Sequence, residues 1–129
     1  MLFTSYHARA IELLKHEIQP ISISVVWPSY STVRYPELKE LAPTLQMLKM
    51  TQEDYDRHFQ RILSNLDPDK IHKWLLSQKK RHGVALLCYE KNRMECHRNT
   101  VAEWFQINLN LTFVEWEKPK KPNPQVSLF

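Results

Sequence analysis

Glycine is almost missing from this sequence: 129 residues contain one, Gly83. A P-loop or a dinucleotide-binding glycine fingerprint needs several glycines to bring backbone amides against phosphates, so both are excluded. Any phosphate or carboxylate must instead be held by side chains and a helix N-terminus. Long hydrophobic runs are missing too, and nothing approaches the roughly 20 apolar residues of a membrane helix. The opening MLFTSYHARA lacks the basic region, apolar stretch and small-residue cleavage site of a secretion signal. A cytoplasmic location is therefore expected, with no membrane partner. Cysteine is also scarce, and two cysteines in such a chain are expected to be reduced thiols.

What remains is ordinary for a globular protein: 43% hydrophobic and 25% charged residues, enough for one core and one domain. The net charge of +4 permits nucleic acid or a phosphorylated ligand without demanding one. Basic residues cluster at Lys79-Lys80-Arg81-His82, at Lys91, Arg93 and Arg98, and at Lys118, Lys120 and Lys121.

Periodicity predicts a strand over 2–5 and a helix over 8–17 ended by Pro20. A β-branched strand follows over 21–26, then a proline-punctuated loop over 27–43. Thr51 caps a helix whose apolar face is Tyr55, Phe59, Ile62, Leu63 and Leu66. Asp67-Pro68 starts another, with Ile71, Trp74 and Leu75 inward and Gly83 as its stop. The run 84–89 is apolar on both faces, as a central strand of a parallel sheet should be. A polar loop over 90–95 leads to a helix from about His97, and 110–116 reads as an edge strand. The expected fold is a small single-domain α/β sandwich with a mostly parallel central sheet and flanking helices over 1–116. Residues 117–129 form a Pro/Lys-rich flexible tail.

Two places carry chemistry. The first is Cys88-Tyr89-Glu90 followed by Cys96-His97-Arg98. Ligands of parallel sheets bind where a strand's carboxyl end enters the next helix. Cys96 at a helix N-terminus has a lowered thiol pKa, and a nearby guanidinium lowers it further. Cys96, Glu90 and His97 are therefore the candidate catalytic groups, with Glu90 as a base or a ligand to a sugar hydroxyl. Arg98 and Arg93 are candidate anion or nucleotide ligands. Plainer roles stand beside these: Cys88 as a small core residue, and Glu90 with Arg98 as a structural ion pair. Cys88, Cys96 and His97 lack the short ligand pairs of zinc sites and spacing places no fourth ligand, so no metal and no cofactor are expected.

The segments Leu2-Phe3-Thr4-Ser5-Tyr6, Pro20-Ile21-Ser22-Ile23-Ser24, Leu41-Ala42-Pro43-Thr44, Tyr55, Val84-Ala85-Leu86-Leu87-Cys88-Tyr89-Glu90 and Cys96-His97-Arg98 occur in an order that resembles the domain of unknown function 488 family. The stretch from Leu86 to Arg98, running into Val101-Ala102-Glu103-Trp104, is the most specific part. The resemblance implies a small α/β fold with a pocket lined by the Cys-His-Arg turn and the strand-end Glu90; it supplies no reaction. Members of that family often carry arginine where this chain has Val25, and Arg34 is the candidate replacement.

The second place is Gln125-Val126-Ser127-Leu128-Phe129, which is similar to the bacterial sliding-clamp-binding pentapeptide. Leu128 and Phe129 would anchor in an apolar groove, with the Gln125 amide bonded at its edge. The plainer alternative is that the tail docks on its own domain. Together the two places suggest a DNA-associated accessory protein of replication or repair, with the sliding clamp and DNA or a nucleotide as partners. The competing expectation is a small-molecule enzyme or sequestering protein for a nucleotide-like anion, independent of DNA.

Overall fold

The computed structural model describes residues 1–89 and 96–119. In chain order its elements are β1 (Leu2–Tyr6), α1 (Ala10–Lys15), β2 (Ile18–Ser22), α2 (Gln52–Ser64), α3 (Pro68–Gln78), β3 (Gly83–Cys88), α4 (His97–Leu109) and β4 (Val114–Glu115). Short 3-10 turns precede α1 and punctuate the β2–α2 connection. The four strands form one sheet in the order β2-β3-β1-β4, all parallel. No helix among the described residues is long and apolar enough to cross a membrane.

β3 is buried at every position, as an apolar run in the middle of a parallel sheet must be. Val84, Leu86 and Cys88 face the larger core, built with Phe59 and Leu63 of α2, Ile71 and Leu75 of α3, and Val101 and Phe105 of α4. Ala85 and Leu87 face a smaller core with Ala10 and Leu13 of α1, Tyr35 and Trp116. Both sheet faces are thus covered, and each fully buried Leu or Val of β3 contributes about 1.5–3 kcal/mol.

The helices begin where their caps put them. The Thr51 hydroxyl accepts from the Asp54 amide at the start of α2, and the Asp67 carboxylate accepts from Asp69 and Lys70 at the start of α3.

Several expected boundaries move. The first helix divides into a 3-10 turn over His7–Arg9 and the short α1. Pro20, expected only as a helix breaker, lies inside β2, and the strand begins at Ile18. β2 is an edge strand: Ile23 donates inward to the Leu87 carbonyl, whereas Ser22 donates outward to Pro36. Pro20 shares the parity of Ser22, so the N–H it lacks would point to the open edge. Gly83 does not stop α3, which ends at Gln78; it opens β3 at φ +123, where a Cβ would fall on the Met1 carbonyl. β4 shrinks to two residues at the sheet's other edge.

From β1 the chain crosses to β2 through α1 on one face; from β3 it crosses to β4 through α4 on the other. The connections leave the neighbouring strands β1 and β3 in opposite directions, which opens a crevice at their carboxyl ends.

Candidate functional site

Several chemically notable side chains gather at that carboxyl edge. Ser24, Cys88, Tyr89, Cys96 and His97 line a cavity of about 760 Å³ there. Its remaining wall comes from Val25, Val26, Pro43, Leu48, Gln52, Tyr55, Asp56, Gln60, Thr100 and Glu103. The described lining holds two carboxylates and two side-chain amides but no lysine or arginine. Gln52 donates to Asp56 at 2.7 Å, which orients that carboxylate. Burial, with Asp56 beside it, pushes the Tyr55 hydroxyl up to about 12, so it stays protonated.

Cys96 and His97 open α4, where strand β3 has just delivered Cys88 to the same point. The structure joins Cys88 and Cys96 as a disulfide, with Cα atoms 7.0 Å apart. The expectation of two reduced thiols is corrected here, because spacing alone does not reveal that a strand end and a helix start are neighbours. A nucleophilic Cys96 exists only when this pair is reduced. His97 Nε2–H donates to the Ile23 carbonyl at 2.6 Å, and Nδ1 lies 3.7 Å from Cys96 Sγ. Burial, opposed by the hydrogen bond to the Ile23 carbonyl and helped by the Arg98 cation, pulls the His97 imidazole down to about 4. His97 is therefore a neutral ring at neutral pH.

Arg98 is paired within the fold. Its guanidinium is fully buried and does not line the cavity. Nε and Nη2 donate to the two Glu115 carboxylate oxygens at 3.0 and 2.9 Å, a bidentate pair between α4 and β4. Thr4 adds a hydroxyl bond to Glu115 at 2.7 Å, and Arg98 Nη1 donates to Cys88 Sγ at 3.2 Å. Arg98 thus holds the site's frame together from behind. Arg34 is exposed, with its guanidinium 4.7 Å from the centre of the Trp27 ring, and does not line the cavity; Val25 does. Glu90, Arg93 and the pentapeptide 125–129 lie outside the described residues.

Sequence reasoning missed a second group. His7, just past β1, bonds through Nε2 to Ser24 Oγ at 2.6 Å and through Nδ1 to Tyr35 Oη at 2.7 Å. All three are buried, and Ser24 lines the cavity. Burial pulls the His7 imidazole down to about 4, with His97 adding to the effect, and pushes Tyr35 up to about 12. The Tyr35–His7–Ser24 chain is thus neutral at pH 7 and orients the Ser24 hydroxyl. The one available signal was position: His7 directly follows a strand of a parallel sheet. Lys39 donates to the Val25 carbonyl at 2.9 Å and steadies the segment that carries Ser24 and Val25.

A parallel sheet with helices on both faces and a cavity at its switch point defines a small α/β ligand-binding or catalytic domain. The profile of the family described as domain of unknown function DUF488 matches residues 26–105, and the chain belongs to that family. The match takes in the cavity wall from Val26 through the Cys96-His97-Arg98 turn to Phe105, while β1, β2 and β4 lie outside it. No curated protein and no solved structure matches the chain.

Proposed function

We propose that this is a DNA-associated accessory protein of replication or repair, recruited to a bacterial sliding clamp by its terminal pentapeptide, whose cavity receives a nucleobase. The observation that carries the cavity's part is its lining. Tyr55 and Tyr89 offer rings, Pro43 and Leu48 offer apolar wall, and Gln52, Gln60, Asp56 and Glu103 offer hydrogen-bonding groups. That combination suits a planar ring with donors on its edge better than it suits a phosphate, which the two carboxylates would repel. A volume of about 760 Å³ is within the usual range of small-ligand sites and holds a flipped nucleotide's base. The basic residues outside the cavity serve the backbone phosphates, as they do in DNA-associated proteins generally. The pentapeptide supports recruitment through its resemblance to clamp-binding peptides.

Tyr89 stands half-exposed at the cavity, with its ring edge-on to His7 at 5.1 Å between centroids. Stacking of a base on an aromatic side chain is worth about 1–3 kcal/mol. Tyr89→Ala is therefore expected to weaken single-stranded oligonucleotide binding about 5- to 150-fold in a fluorescence anisotropy titration. Wild-type binding to free nucleotides with none to oligonucleotides would favour a DNA-independent small-molecule role instead.

A further inference from the structure

Cys88, Cys96 and His97 bring their ligand atoms within 4.8 Å of one another, at the end of β3 and the start of α4. Two thiols and an imidazole are the donor set of borderline-soft divalent cations, zinc above all. We propose that the reduced pair Cys88 and Cys96, with His97 Nδ1, forms a three-ligand site for a zinc-class cation whose fourth position opens into the cavity.

Three observations support the site. His97 donates its Nε2–H to the Ile23 carbonyl at 2.6 Å, which leaves the Nδ1 lone pair aimed toward Cys96 Sγ, 3.7 Å away. This is the outer-shell arrangement that fixes the tautomer of metal-bound imidazoles. Arg98 Nη1 donates to Cys88 Sγ at 3.2 Å and so favours the thiolate a metal needs. All three ligands line the cavity, so a fourth ligand, water or a bound molecule, can reach the ion. The ligands lie too far apart in sequence for a spacing motif; the fold supplies the proximity.

Loading balances as follows. A thiol reductant gives two electrons, and with two protons the disulfide becomes two thiols. The cation then forms two bonds to sulfur and one to nitrogen, and the two thiol protons leave to solvent. The inference does not rest on the DNA reading, since metal uptake is measured without nucleic acid.

The test is anaerobic cobalt(II) titration of the phosphine-reduced full chain, followed by zinc competition. The expected result is saturation at one equivalent with thiolate-to-cobalt charge-transfer bands, which zinc abolishes. Cys96→Ser should cut the charge-transfer intensity, and His97→Gln, which removes a direct ligand, should weaken binding by more than the roughly 10- to 100-fold that loss of an outer-shell partner costs. Should a variant misfold by circular dichroism, the wild-type chain decides alone: one equivalent of zinc must protect both thiols from alkylation. Folded protein with two titratable thiols, no cobalt bands and no zinc protection would overturn the proposal. So would charge-transfer bands of unchanged intensity in a folded Cys96→Ser variant.

Discussion

At His7 one imidazole is wedged between Tyr35 and Ser24, with the rings of Trp27 and Tyr89 nearby. Burial holds its pKa at about 4 against an ordinary 6.5. Between those values the unfolded chain takes the proton and the native chain refuses it. Stability from this group is complete above about pH 6.5, drains away as pH falls toward 4, and is level below that. Urea unfolding should therefore show a loss of about 2 kcal/mol from this residue between pH 7 and pH 5. His7→Gln should unfold with a correspondingly shallower pH slope, and an equal slope in both chains would contradict the assignment. The residue scale also separates what sequence could tell from what it could not. Cys96 and His97 were legible because residue type and a strand-to-helix turn coincide there. The partner of Arg98 was not legible, since a guanidinium beside a turn looks the same whether it faces a ligand or a carboxylate 17 positions on. His7, Ser24 and Tyr35 come from three separate segments, and only folding makes them a group.

At the scale of elements the same physics fixes the cavity's shape. β3 was legible because a strand buried on both faces is apolar throughout. α2 and α3 were legible from their caps and stripes. β2 begins three residues and ends four residues earlier than expected because Pro20 carries two meanings, helix breaker and edge-strand residue, and only the neighbouring strand decides between them. β4 was overlong because alternation in 110–116 says nothing of how much partner strand is available; β1 pairs with two of those residues. The short β4 depends on its tie to α4. Arg98→Met should leave the Glu115 carboxylate, three-quarters buried, without its bidentate partner. Losing one member of a buried pair costs about 3–5 kcal/mol, and Glu115's partial exposure places the expected loss at about 2–4 kcal/mol in thermal or urea unfolding. Pairing Arg98→Met with Glu115→Gln should recover part of that loss, because the Glu115 charge is then removed as well. A double variant no more stable than the single one would contradict this account of the α4–β4 contact.

For the whole molecule, topology does what no single motif could. The opposite exits of β1 and β3 create the crevice, and one glycine in the chain is no handicap, since the cavity is lined by side chains rather than a glycine loop. The parallel α/β class was readable from the order of elements, and family membership from the Leu86–Arg98 stretch; the profile match over residues 26–105 covers the second fully. The cavity's lack of described cations was not readable, because it depends on which faces of α2 and α4 turn inward. The base-receiving role proposed for the cavity gains its setting from where the protein is taken in the cell, and residues 125–129 carry that claim. Surface plasmon resonance of an immobilised bacterial sliding clamp, with the full chain and with a chain ending at Pro124, tests it most directly. The account predicts saturable binding by the full chain that disappears when the last five residues are removed. Equal binding by both chains, or none by either, would contradict it.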